Sequence, residues 1–434
     1  MSKNNNHFIA IIGGAVSGST AASTLLDKGY KVAIIEQNAR PYGKIEDGLP
    51  IWHQKQREQE YAKIDQKLDH PNLYFIPNTK LGTNISFDEL TNKIKFSAII
   101  LAIGAWKDRP LPLKKSDSLI NKGLIYQNKF IYWFNHREDI NSLKENIQVI
   151  DGAIIIGGGL ASIDVAKACQ IELFIKAVRE IKNIILDVEK IETNGIPKTC
   201  EKIGIAYKDL NIKGSTILYR RTATDMPLAD IPDNATVQMI EKIKNVRSKI
   251  LQKAKDKFLF NFEELSTPNK FLIKNGKING IQIKKTELVD GKLIVTHKTK
   301  DIQTTQVISS IGSIPEPIEG IMMEGETYKV KDKNLGIYTE IDGIFLTGNV
   351  VTGKGNIRDS LKHAEKVSAY VANQYLSPLN NDLEDTAVKK VENFLAQKKE
   401  LSNADLEIIQ EKIIKLQSRV NYHNNYKEWI SASQ

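Results

Sequence analysis

Two glycine-rich turns, far apart in the chain, carry most of the chemistry that can be read from this sequence. The first is Gly13-Gly14-Ala15-Val16-Ser17-Gly18. A pyrophosphate needs close approach to backbone N–H groups at the start of a helix, where the helix dipole also favours its charge. The usual pattern places glycine first, third and sixth. Gly13 and Gly18 match, while Ala15 in the third position adds one methyl group to the approach. Glu36 closes the strand that follows, where an acid accepts hydrogen bonds from a ribose and repels a 2′-phosphate. This turn suits an unphosphorylated adenosine ribose, as in FAD or NAD.

The second turn, Gly157-Gly158-Gly159-Leu160-Ala161-Ser162, has glycine first and third, and a small residue, Ser162, sixth. The next strand ends in Arg220-Arg221 instead of an acid. Two guanidinium groups at the ribose edge select for a 2′-phosphate, hence for NADPH over NADH. A third stretch runs from Gly343 through Gly348-Asn349 into Gly353-Lys354-Gly355-Asn356-Ile357. A strand followed by a glycine-rich loop at a helix start offers backbone donors again. With the adenosine end accounted for near the N-terminus, this stretch suits the flavin end of FAD.

The elements that must position these turns are legible on either side of them. Phe8-Ile9-Ala10-Ile11-Ile12 is an unbroken apolar run, as in a strand buried on both faces. A helix through Ala21-Ala22-Ser23-Thr24-Leu25-Leu26, ended by Gly29, and a strand from Lys31 to Glu36 complete one strand–turn–helix–strand unit. Ala153-Ile154-Ile155-Ile156 opens a second, with a helix from Ser162 to about Val178. Its next strand, Ser215 to Tyr219, is delayed by the polar stretch from Glu180 to Gly214, which is expected to extend the helix and cross back. Short alternating segments from Asn261 to Val307 suggest an antiparallel meander. Ala98 to Ala105, containing Gly104, and Val307 to Gly312 read as buried strands ending in small residues, suited to the passage between nucleotide domains.

The expected fold class is α/β: two Rossmann-like dinucleotide-binding domains, an FAD domain with an inserted NADP domain, plus a C-terminal helical extension. The expected division is 1–122 and 325–382 for the FAD domain, 123–324 for the inserted NADPH domain and 383–434 for the extension. In the extension, Ser402 is placed to cap a helix on which Leu406, Ile409, Ile413, Leu416 and Val420 share one face. Two heptads are short for a coiled coil, so this face is expected to dock on the protein's own surface.

Composition excludes several classes. At 434 residues with 41% hydrophobic content, a packed core and more than one domain are expected. No apolar run approaches the roughly 20 residues that cross a bilayer, and the opening Met1 to His7 lacks an apolar signal core, so a cytoplasmic protein is expected. The two cysteines, Cys169 and Cys200, are too far apart for a Cys-x-x-Cys redox pair and too few for a zinc or iron–sulfur site, so no metal is expected. The net charge of +9 comes from scattered lysines without interleaved aromatics, which argues against nucleic acid.

The paired turns, Tyr219-Arg220-Arg221-Thr222 with Met226-Pro227, and the closing Gly348-Asn349 resemble the adrenodoxin reductase family of NADPH–ferredoxin reductases, which is related to the small subunit of glutamate synthase. The resemblance covers about residues 7 to 375. It implies that NADPH reduces FAD by hydride transfer and that single electrons then pass to an iron–sulfur protein. It also implies a histidine near the flavin that meets an aspartate on the NADP-domain helix, for which His53 and Asp164 are the matching positions. Asn349 departs from the family, standing where many flavoproteins have aspartate and adrenodoxin reductase-like ones have tryptophan.

Three functions remain open on sequence. A reductase of an acidic ferredoxin or flavodoxin suits the positive charge. An NADPH-dependent flavin reductase or monooxygenase could use Tyr126, Tyr132, Trp133, Phe134 and His136 as a small-molecule pocket. A non-catalytic FAD/NADPH sensor could signal through the C-terminal helix.

Overall fold

The computed structural model describes residues 6–137, 147–232, 234–353, 355–376, 400–423 and 425–433. The chain divides into two compact units: Met1–Glu46, Lys55–Lys107 and Ser313–Gln434 form one, Asp47–Gln54 and Asp108–Gly312 the other. Each holds a Rossmann-like sheet.

In the first unit the strand Phe8–Ile12 lies at the heart of a seven-stranded sheet, and all five of its residues are buried. It pairs in parallel with Lys31–Ile35 on one side and Ala98–Leu101 on the other. Leu73–Ile76 and Ile344–Leu346 extend the parallel part outward. Burial on both faces explains why these strands are continuous apolar runs without alternation. Ile337–Tyr338 and Val330–Asp332 add an antiparallel edge. The helices Val16–Leu26 and Ile357–Tyr370 pack against each other.

Residues from Asn403 to Ser418 form the expected amphipathic helix, with Ser402 and Asp405 making a reciprocal capping box. Ile409, Ile413 and Leu416 are buried in the same cluster as Phe8, Ile12 and Ile76. That face is therefore used within the chain. A short helix, Tyr426–Ala432, follows.

The second unit holds a five-stranded parallel sheet in the order Leu124–Tyr126, Val307–Ser309, Ile154–Ile156, Thr216–Leu218, Asn261–Glu263. The meander predicted from Asn261 begins later, because Asn261–Glu263 closes the parallel sheet. The antiparallel part is Ser266–Lys274, Lys277–Val289 and Lys292–Gln303. The long helix Leu160–Lys182 ends at Asn183, a left-handed cap, and the polar stretch after it folds into Val188–Asn194 and Ile196–Ile203. The aromatic stretch after Tyr126 is a helix, Gln127–His136, whose Phe130, Trp133 and Phe134 are buried core residues. Trp133 and Phe134 thus pack in the interior.

Cys169 and Cys200 are buried thiols, and burial pushes both above the usual thiol range, which suits inert side chains. Among the described residues no helix is long and apolar enough to cross a membrane, and no group of three His, Cys, Asp or Glu side chains could hold a metal ion.

Candidate functional site

The first cradle is closed by the chain's own backbone. Gly13 has φ +95°, a left-handed conformation that favours glycine, and donates its N–H to Ile35 O at 2.8 Å. A Cβ on Gly18 would lie 1.8 Å from Gly13 O, so the turn and the first helical coil touch without room for a methyl group. Ala15 is the N-cap of Val16–Leu26, with no side-chain cap and no acid in the first turn. The amides there are left for an anion. Its methyl faces Gly43, where an added Cβ would come within 2.9 Å.

Glu36 is only 3% exposed. Its Oε2 accepts the Gly14 N–H at 2.7 Å and its Oε1 accepts the Asn38 N–H at 2.9 Å. These charge-assisted bonds fix the carboxylate beside the turn, and a carboxylate is the type of acceptor that suits a ribose hydroxyl. Gly104, with φ +67°, follows the neighbouring strand Ala98–Leu101.

The closing segment reaches this same cradle. A Cβ on Gly348 would lie 2.2 Å from Ser17 Oγ, so Gly348 abuts the start of the first helix. Next to it, the Asn349 Oδ1 is buried and has no hydrogen-bond partner among the described residues. An orphaned buried acceptor is costly, and here it lies on the segment assigned to the flavin. It fits a bound donor such as a flavin ring or ribityl hydroxyl. Gly355 lies near the Asn349 amide, where its Cβ would be 3.5 Å from Nδ2. Asn356 differs from the expectation of an open helix start: its Oδ1 accepts the Asp359 N–H at 2.8 Å and so caps Ile357–Tyr370 itself.

Sequence reasoning missed His363. Its Nε2 lies 2.8 Å from Lys333 O, and its Nδ1 lies 3.1 Å from Gly348 N and 3.2 Å from Thr347 Oγ1. A carbonyl can only accept, so Nε2 carries the proton and Nδ1 receives the Gly348 N–H. Burial lowers the imidazole pKa below its ordinary value, and the charge on Lys366 lowers it further. A lone histidine at the end of Ser360-Leu361-Lys362-His363 gives no sequence signal for this role.

The second cradle is more open. Gly157 is held tightly, since its Cβ would lie 2.2 Å from Ser162 Oγ and Ser310 O. The Ser162 hydroxyl donates to Ser310 O at 3.1 Å, which explains how serine serves in the sixth position. Gly159 caps the helix Leu160–Lys182 with no side-chain cap, and among the described residues nothing lies within 4 Å of where its Cβ would be. Leu160 is 55% exposed, and Ala161 is partly exposed beside it. Arg220 is exposed and Arg221 partly so; among the described residues neither guanidinium is paired with a carboxylate. The Arg221 Nη1 makes a long contact, 3.5 Å, to Gly291 O.

His53 and Asp164 both belong to the second unit and lie together there, Nε2 to Oδ1 3.9 Å apart. Lys167 completes the group. It is 8% exposed, with Nζ 3.5 Å from Asp164 Oδ1, 3.2 Å from Glu192 Oε1 and 4.5 Å from the centre of the Trp52 ring. A buried ammonium of this kind is held by paired carboxylates and aromatic faces. Asp164 and Lys167 share a helix face at i, i+3, a spacing visible in sequence, whereas Glu192 arrives from a separate helix.

Comparison with known proteins finds similarity to pyridine-nucleotide oxidoreductases. The family described as "Pyridine nucleotide-disulphide oxidoreductase" matches residues 7–204. More particularly, the chain is homologous to NADPH:adrenodoxin oxidoreductase. It is 26% identical over 340 residues to "NADPH:adrenodoxin oxidoreductase, mitochondrial" of Arabidopsis thaliana, covering 72% of this chain and 69% of that one. It is 22% identical over 357 residues to "NADPH-ferredoxin reductase FprA" of Mycobacterium leprae, covering 76% and 75%. Its fold is that of Mycobacterium tuberculosis FprA in complex with NADPH, with a TM-score of 0.68, 19% identity, and 95% and 90% of the two chains covered.

Proposed function

We propose that this protein is an FAD-dependent NADPH oxidoreductase whose electrons pass to an acidic ferredoxin- or flavodoxin-type carrier. The observation that carries this reading is the contrast between a buried, hydrogen-bonded Glu36 at one ribose edge and the carboxylate-free Arg220-Arg221 pair at the other. When bound, FAD would supply the redox chemistry, taking up a hydride from NADPH and passing single electrons on to the carrier.

The chain's own residues hold and orient. Amides at the start of Val16–Leu26 neutralise the FAD pyrophosphate, with Gly13, Gly14 and Gly18 letting the backbone approach. Glu36 receives the adenosine ribose, and Gly104, Gly348, Asn349, Gly355 and Ile357 belong to the flavin side. The amides after Gly157 and Gly159, at Leu160 and Ala161, receive the NADPH pyrophosphate, while Arg220 and Arg221 grip the 2′-phosphate. His53 and Asp164 are the proposed catalytic pair, with Lys167 holding Asp164. The net charge of +9 supports an acidic carrier, and two buried thiols suit a reducing, cytoplasmic setting.

A steady-state acceptor screen on the purified yellow protein tests the proposal. Rapid, salt-weakened reduction of a ferredoxin by NADPH supports it. Failure of NADPH to bleach the flavin absorbance, or turnover only with one small organic molecule, overturns it.

A further inference from the structure

The helix Tyr426–Ala432 contacts the loop that follows Glu36. Glu36 is followed by the loop Gln37-Asn38-Ala39-Arg40-Pro41-Tyr42-Gly43, which lies against the pyrophosphate turn: a Cβ on Gly14 would meet Pro41 Cβ at 2.6 Å, and Gly43 lies against Ala15. The loop also holds the ribose-edge carboxylate directly, through the Asn38 N–H on Glu36 Oε1. Trp429 donates its indole N–H to Ala39 O of this loop at 2.7 Å, across 390 residues of sequence. Tyr426 donates to Asp65 Oδ1 at 2.7 Å, and the same carboxylate accepts the loop's Tyr42 hydroxyl at 3.0 Å through Oδ2. Tyr42 in turn stacks on Tyr61, with ring centres 3.9 Å apart. Burial and the Asp65 charge push the Tyr42 and Tyr426 hydroxyls well above the usual phenol range, so both remain donors.

We propose that this helix is a cofactor-retaining clasp, in which Trp429 and Tyr426 are positioning residues that hold loop 37–43 against the Gly14–Ala15 turn and so set how fast FAD leaves. The inference rests on the assignment of FAD to the first cradle. Its physical basis is simple. The loop packs on the Gly14–Ala15 turn and bonds Glu36, and swinging it away from the turn would strain the Trp429 bond and the shared Asp65 contact.

The test is FAD release from the diluted holoenzyme, followed by the rise in free flavin fluorescence, for wild type, Trp429→Phe and Ile321→Ala. Phenylalanine keeps a ring beside Tyr422 but removes the donor. Ile321→Ala empties a buried site of the same unit's core and lowers stability without touching the loop contacts. The clasp predicts roughly threefold to tenfold faster release from Trp429→Phe, the worth of one hydrogen bond. It also predicts that Ile321→Ala releases FAD more slowly than Trp429→Phe although its apoprotein melts lower. Release rates that follow the melting order overturn the clasp while leaving the FAD assignment standing. A wild-type chain that takes up no FAD overturns the assignment, and the clasp with it.

Discussion

The two proposed nucleotide cradles follow one strand–turn–helix–strand plan but differ in how far the protein itself has filled them. At the first, Glu36 is buried and already bonded to Gly14 and Asn38, and Gly18 presses on Gly13 O. At the second, Arg220 and Arg221 have no carboxylate partner among the described residues, and the space beside Gly159 is open. A preorganised site loses little freedom on binding and holds its ligand tightly, whereas exposed guanidiniums still exchange water for phosphate. The contrast is what a resident cofactor and an exchanging dinucleotide each need.

The largest effect should come from Gly18→Ala. Its methyl would collide with backbone at 1.8 Å, which no side-chain rotation relieves, and a cost of about 3 kcal/mol or more is expected for such overpacking. The measurable outcome is protein purified without flavin absorbance. Gly159→Ala should behave differently. With open space at the Cβ and φ −90°, the folded protein accepts it, so thermal stability should stay near wild type while the KM for NADPH rises. Equal loss of stability in both variants would erase the distinction between the cradles.

A smaller effect separates them by pH. His363 binds the Gly348 N–H beside the first cradle, and burial depresses its folded pKa below 6.5. Between the folded and unfolded values the unfolded chain holds more protons, so stability rises with pH there. The contribution is full above 6.5 and is lost as pH falls through the folded pKa. The melting temperature should therefore drop on acidification, and His363→Gln should flatten that part of the profile. A step unchanged in the variant would assign it elsewhere.

Sequence showed the two strand–turn–helix–strand units well because their determinants are local. Glycine spacing, Glu36 and Arg220-Arg221 all lie within single strand–turn–helix–strand units, and periodicity from Leu406 to Leu416 revealed a buried helix face. Long-range partnerships were not legible. Nothing near Lys167 in sequence announces Glu192, and nothing near Ala39 announces Trp429. Asn356 could be read as part of a donor loop, because backbone and side-chain roles look alike until the Asp359 amide is located. The aromatic run Tyr132-Trp133-Phe134 looked like a pocket wall because composition alone does not say which face of a helix is buried.

The central claim is that charge at the ribose edge divides the two nucleotides. Its most direct measurement is the ratio of kcat/KM for NADPH to that for NADH in wild type and in the Arg220→Ala, Arg221→Ala double variant. Loss of the charge-assisted bonds to the 2′-phosphate, worth about 3 kcal/mol together, should lower the ratio roughly a hundredfold, chiefly through KM for NADPH. A ratio unchanged by the double substitution would contradict the account.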